Sequence, residues 1–312
     1  MAAALQPHPA ARPHSIHEYA GLAKPPHLTR LESATHKTGQ VESLSIEVDD
    51  SQGGFVPGFL HLPPDFVNTT TTTSTNTNTN NPASALPPHH HRTAAILLSG
   101  AGGGVAGPSS IYLSLACKLA TLGRGIPALR LDYRFPARTD ACCHDVRAAM
   151  AYLGDMYGLD RFVLVGWSFG GAVVYTVGGG EEEGRRKVVG AATIASQTAD
   201  AVEGIRRMRP RPVMLLHGSG DNTLGVGCSQ RLYHEYGAGD RTLHVFEGDN
   251  HSLSGNAEEA EEMLCEFVAR CAGVRVGPQE RRDVVGAELV EDGERHELME
   301  RGGDLRAPER ED

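Results

Sequence analysis

The sequence predicts an α/β fold: a mostly parallel eight-stranded sheet with helices on both faces, formed by about 230 of the 312 residues. Two observations carry this. Short, continuous apolar runs recur between residues 41 and 272, as strands covered on both faces require. Between most of them lie segments with helical periodicity, and repeated strand–helix units build a parallel sheet.

Taken in order, Leu44, Ile46 and Val48 alternate with polar neighbours, the period-two sign of a half-buried strand. FVPGFLHLP (55–63) reads as a second strand antiparallel to the first, with Pro57 pointing to an edge or a bulge. The remaining strands are AAILLSG (94–100), PALRLDY (127–133), RFVLVGW (161–167), VVGAATIAS (188–196), PVMLLHG (212–218) and TLHVFEG (242–248). Pro108 opens a helix that stops at Gly123, following the proline-start, glycine-stop asymmetry. Asp140 can cap a helix whose Cys142, Val146, Met150 and Leu153 recur three or four residues apart. A last helix, NAEEAEEMLCEFVARC, has acids in its first turns and Arg270 at its end, matching the helix dipole.

Charge and complexity divide the rest. The net charge is −10, from 29 Lys+Arg and 39 Asp+Glu, which excludes a general nucleic-acid binder because that needs a basic face. Half of it lies in residues 273–312, with 7 basic and 12 acidic residues, so this stretch is expected to be a disordered charged tail. Residues 1–40 are read as a flexible N-terminal segment, and 68–92 as a low-complexity loop insertion within a single domain of residues 41–272. His89, His90 and His91 in that insertion lack a fourth ligand at structural-zinc spacing, so no metal is expected. The six cysteines show no C-x-x-C pair and no secretion signal precedes them; buried free thiols and a cytoplasmic location are expected. No apolar run approaches the ~18 residues of a membrane span, and no membrane partner is expected.

The chemistry concentrates at three strand ends. Gly166-Trp167-Ser168-Phe169-Gly170-Gly171 follows one strand and precedes a helix, the strand–turn–helix context of a nucleophile elbow. Small residues are needed because that turn is too tight for side chains at 166 and 170, and Ser168 is forced out at the carboxyl edge of the sheet. A serine nucleophile needs a base and the base an orienting acid, in the chain order Ser, Asp/Glu, His. Asp221 follows the strand PVMLLHG and His251 follows TLHVFEG, while His234 falls in a helix and His244 in a strand. Asp249 is a fallback acid, although its position favours bracing its own turn. The glycine-rich loop from Ser99 to Gly104 can bring backbone donors near a substrate oxygen, so the oxyanion donors are expected to be the Ala101 and Phe169 N–H groups. The loop shows neither G-x-G-x-x-G with a ribose-binding acid nor G-K-[ST], and no cofactor is expected.

LLSGAGGG, LRLDYRF, GWSFGG, LLHGSGD and EGDNHSL together resemble the α/β-hydrolase superfamily over roughly residues 41–272, and PGFLHLP in so short a chain looks like its dienelactone-hydrolase-like and serine-esterase-like branch. The chain differs in having Ser99 where many relatives have His, and Ser168 where dienelactone hydrolases use Cys. Only about fifteen residues (197–211) lie where lidded relatives insert a cap, so the resemblance implies no large cap domain and an open, shallow site. It implies a serine hydrolase acting on a carboxylic ester, or related acyl bond, of a small soluble substrate through Ser168, Asp221 and His251. Gly102, Trp167 and Gln197 are candidate substrate-lining residues. The alternative is a non-catalytic scaffold of the same fold that binds a small molecule or a protein. The sequence leaves the substrate and the oligomeric state open.

Overall fold

The structure, a computed structural model, describes residues 16–19, 21–67, 92–307 and 309. Its framework is a sheet of β1 (Gln40–Glu47), β2 (Phe55–Leu62), β3 (Thr93–Leu98), β4 (Ala128–Leu131), β5 (Arg161–Trp167), β6 (Val188–Ile194), β7 (Val213–Gly218) and β8 (Arg241–Phe246). The strands lie in the order β1-β2-β4-β3-β5-β6-β7-β8. β1 and β2 pair antiparallel, as do β2 and β4; from β4 to β8 every neighbour is parallel. All eight expected strands form. Pro57 corrects one detail: β2 has a partner on each side and a continuous register with β1, so it is neither edge nor bulge. The ladder to β4 starts only at Gly58, so the missing proline N–H falls where that ladder ends.

Helices cover both faces. They are α1 (Leu28–Thr35), α2 (Ile111–Thr121), α3 (Thr139–Tyr157), α4 (Phe169–Gly179), α5 (Glu182–Lys187), α6 (Val202–Arg206), α7 (Gly227–Tyr236), α8 (Ala257–Cys271), α9 (Pro278–Glu280) and α10 (Asp292–Gly302). Alternating strand residues feed two cores. Ala94, Ile96, Phe162 and Leu164 pack with Cys142, Val146, Met150 and Leu153 of α3 and with Val173, Val174 and Val177 of α4. Their neighbours Ala95, Leu97, Val163 and Val165 face Leu115 and Leu119 of α2 and Leu264, Phe267 and Val268 of α8. At ~25 cal/mol per Å² of apolar surface, filling both faces is what makes these runs strands rather than helices. Asp140 sits in the first turn of α3 without capping it; Arg138 occupies the N-cap position. Among the described residues the six cysteines form no disulfide, and four of them are buried.

Two expectations about the ends of the chain differ from the structure. Within residues 1–40, Leu22 and the α1 residue Leu31 are buried, and Tyr19 is too. In the supposed disordered tail, α9 continues into a widened turn at Arg281–Val285, followed by α10. Val284, Val285, Leu289 and Met299 join the core between α2 and α8, while Val290 and Leu298 pack with Ile16, Tyr19 and Leu22. Sparse apolar residues thus find a preformed surface, whereas a charged segment alone could not offset its ordering entropy. Residues 1–15 and the insertion at 68–91, with its three histidines, lie outside the described residues. Among the described residues no helix is long and apolar enough to cross a membrane.

Candidate active site

The site forms at the carboxyl edge of the sheet, where β3, β5, β7 and β8 end. At the end of β5 the backbone of Ser168 adopts φ 53° and ψ −119°, a conformation that non-glycine residues rarely hold. The neighbouring glycines explain how the turn closes. A Cβ on Gly166 would strike the Gly170 carbonyl, one on Gly170 would strike the carbonyls of Ser99 and Leu98, and one on Gly171 would meet the Ser196 side chain. The Ser168 N–H donates to the Ile194 carbonyl at 2.9 Å, which ties the turn to the end of β6. Phe169 is the first residue of α4, so its N–H is one of the four donors a helix leaves without an intrahelical partner.

His251 and Asp221 come together across 30 residues of sequence. His251 Nδ1 lies 2.7 Å from Asp221 Oδ2, and both residues are buried. A carboxylate at that distance requires Nδ1 to carry the proton, which leaves Nε2 as the imidazole's free basic nitrogen. The other oxygen of Asp221 accepts from the Thr223 and Leu224 N–H groups at 2.8 Å. Burial works against the ionised form of Asp221, but hydrogen bonds from His217 and His251 outweigh it and hold the carboxyl well below the usual carboxylate range. Asp249 braces its own turn instead, accepting from the Asn250 N–H at 2.8 Å and from Asn256 Nδ2 at 2.8 Å.

Of the residues named for substrate contact, Trp167 is buried, and its indole N–H donates to the His251 carbonyl at 3.0 Å. Its ring stands 5.5 Å from the imidazole, so it supports the histidine loop. The Gln197 N–H donates to the Ser168 carbonyl at 3.3 Å, and its side chain turns to the Ala199 carbonyl. Gly102 lies against the Arg306 backbone, which a Cβ at that position would overlap.

Three participants gave no sign of themselves in the sequence. His217, at the end of β7, places Nε2 3.2 Å from Asp221 Oδ2 and 2.7 Å from the Leu224 carbonyl. Its Nε2–H therefore serves both oxygens, and Nδ1 accepts from the Ser229 hydroxyl at 2.7 Å. Asp304 is completely buried beside the glycine-rich loop: Ser99 Oγ donates to it, as do the Ala106 and Gly107 N–H groups at 2.8 Å. Burial pushes its carboxyl up to about 7, against the pull of those three donors. Glu309 is the third. Its Oε1 accepts the Ala101 N–H at 2.6 Å, and its Oε2 lies 3.5 Å from His251 Nε2. The expected open, shallow site is thus covered: no cap stands over it, but the segment after α10 does. No signal in the sequence singles out Asp304 or Glu309 among the acids of that stretch.

The charge state follows from these neighbours. Burial disfavours the imidazolium, yet hydrogen bonds and charge from Asp221 and Glu309 prevail and raise His251 to about 9. Glu309 is lowered, its burial being outweighed chiefly by His251, 3.5 Å away, and then by the Ala101 N–H. Where the starts of α1 and α10 meet, His27, Glu291 and Glu294 bring three ligand atoms within 4.8 Å of one another, and His27 already contacts Glu294 at 3.0 Å.

No family model matches the sequence, and no curated protein matches it. Solved structures do. An esterase domain from Rhodothermus marinus is 18% identical, with a TM-score of 0.54 over 74% of this chain and 98% of its own. Dienelactone hydrolase from Anabaena variabilis is 14% identical, with a TM-score of 0.56 over 74% of this chain and 98% of its own. An α/β serine hydrolase without lid from Xanthomonas campestris is 16% identical, with a TM-score of 0.52 over 76% and 97%. The strand order, the strained serine turn and these likenesses agree: the chain has the α/β-hydrolase fold, of the dienelactone-hydrolase-like kind, with no large cap domain.

Proposed function

We propose that the protein is a serine hydrolase that cleaves a carboxylic ester, or a related acyl bond, of a small substrate. The observation that carries this reading is the 2.7 Å contact of His251 Nδ1 with Asp221, at the same sheet edge as the strained Ser168 turn. Ser168 Oγ attacks the carbonyl carbon while His251 Nε2 takes the hydroxyl proton; Asp221 holds the imidazole in the right tautomer and stabilises its charged form. The oxygen of the tetrahedral intermediate accepts hydrogen bonds from the Ala101 and Phe169 N–H groups, each contributing about 3–4 kcal/mol to the transition state. The bond to the leaving oxygen breaks as His251 returns its proton to it. Water then gives a proton to His251 and attacks the acyl carbon; the Ser168–acyl bond breaks, Ser168 regains the proton, and the carboxylic acid leaves. His217 steadies the same oxygen of Asp221 that His251 contacts.

The substrate in this reading is a soluble acyl ester, and the site needs no metal or cofactor. A second reading, a non-catalytic binding scaffold, is favoured by one observation: the Ala101 N–H is already taken by Glu309. Reaction with a fluorophosphonate, which phosphonylates an activated serine, separates the two. Labelling that disappears in Ser168→Ala and His251→Ala supports the hydrolase. If the protein and a Glu309→Ala variant both stay unlabelled while a known serine esterase reacts beside them, the protein is a binder. A panel of p-nitrophenyl esters from acetate to palmitate, with peptide and thioester substrates added, then ranks the acyl groups.

A further inference from the structure

We infer that Glu309 is an internal inhibitor: the segment following α10 lays its carboxylate into the oxyanion position, where it holds the site closed as a bound acid product would. The inference rests on the hydrolase reading above and adds a regulation to it.

The contacts are those a product carboxylate would make. One oxygen accepts the Ala101 N–H at 2.6 Å, and the other lies 3.5 Å from His251 Nε2. The base and one oxyanion donor are therefore both engaged by a single side chain that is only 3% exposed. An ester carbonyl cannot occupy the same place. The basic nitrogen that must accept the serine proton faces an anion, which favours imidazolium over the neutral base.

The segment is also anchored at Asp304 and Arg306, so the contact is not that of a stray side chain. Asp304 gathers the Ser99 hydroxyl and two backbone N–H groups of the loop that carries Ala101. Arg306 reaches Asp132 at 3.3 Å and the Tyr19 hydroxyl at 3.3 Å, and its guanidinium lies 5.6 Å from the Tyr19 ring centroid. Asp132 in turn accepts the Gly104 N–H at 2.8 Å. The glycines let the segment come this close: a Cβ on Gly100 would overlap Glu309, and one on Gly104 would overlap Asp304. Covalent attachment raises the local concentration of this carboxylate far above that of a free acid, so a weak ligand suffices to fill the site. Because the anchors are polar contacts and not a large apolar interface, the segment can leave without unfolding the sheet.

The test compares the full chain with Glu309→Ala, Glu309→Gln and a control, Glu297→Ala, whose side chain is exposed on α10. Each is measured for its rate of fluorophosphonate labelling, for hydrolysis of p-nitrophenyl acetate and for the NMR titration of the His251 imidazole. Melting temperatures establish that all four fold. The inference expects at least tenfold faster labelling and hydrolysis in Glu309→Ala, a smaller gain in Glu309→Gln, which can still accept the Ala101 N–H, and none in the control. It also expects the His251 titration to move to lower pH in both Glu309 variants. Equal rates with an unmoved titration overturn the inhibitory role while leaving the hydrolase reading intact. If all four proteins stay unlabelled and inert, the hydrolase reading falls, and the inhibitory role with it.

Discussion

The serine turn after β5 and the segment after α10 meet at the same site, yet they are held there by opposite means. The turn is determined locally. Gly166, Gly170 and Gly171 lie within five residues of one another, and the contacts that forbid a Cβ are with the turn's own backbone or with residues at the ends of β3 and β6. The segment has no local logic of that kind. Asp304 and Glu309 are two acids among many, and what fixes them is a loop some 200 residues earlier in the chain. The comparison teaches that steric exclusion marks a site in the sequence, whereas a few long-range hydrogen bonds can occupy it without leaving a mark.

The largest effects belong to the turn and its partners. Ser168→Ala should leave the fold intact and lower kcat by about 10⁴-fold or more, a barrier increase of about 5.5 kcal/mol. Steady-state hydrolysis of p-nitrophenyl acetate checks it; near-normal activity would mean another nucleophile. Asp221→Asn should cost about 10³-fold, because an amide leaves the imidazole without the acceptor that fixes its tautomer. Asp249→Asn, measured alongside, should cost far less, since Asp249 bonds only its own turn.

Next come the turn's sterics. Gly170→Ala should destabilise the protein by about 3 kcal/mol, read from urea denaturation, because the new methyl group meets two backbone carbonyls that cannot move aside. A neutral result there would remove the contrast between steric and polar fixation.

The pH dependence is of intermediate size. His251 is raised to about 9, so at neutral pH the imidazole is mostly protonated and cannot act as a base. kcat/KM of the full chain should therefore climb about 50-fold between pH 7 and 9, and the climb should move to lower pH once Glu309 is replaced. Stability runs the other way. The folded state holds the His251 proton more tightly than the unfolded chain, so this contribution is complete below about pH 6.5 and is lost as pH rises through about 9.

The smallest expected effect lies in the anchor. Asp304→Ala should cost about 1–2 kcal/mol of stability, as the Ala106 and Gly107 N–H groups and the Ser99 hydroxyl lose their acceptor. Denaturation together with limited proteolysis of the segment after α10 checks it. A loss as large as that of Gly170→Ala would show that the segment is part of the core and not a separable cover.

The sequence by itself determined the sheet and the placement of its chemistry. Continuous apolar runs cannot stay in water, and their alternation with helical segments leaves few topologies; the serine turn carries its constraint in adjacent glycines. It also put Asp221 and His251 beyond the carboxyl edge, because each follows directly on a strand. Tertiary structure alone decided the rest. Whether Asp221 or Asp249 meets the imidazole depends on loop geometry of a few ångströms, and His217 joins Asp221 only because β7 ends beside it. By its sequence the charged stretch after residue 272 reads as disordered, because its own apolar content is too small to offset ordering. It folds because Val284, Val285, Leu289 and Met299 meet a surface that α2 and α8 have already built. Local composition registers what a segment can bury within itself, but not what another part of the molecule offers it, and Glu309 reaches the site only through that offer.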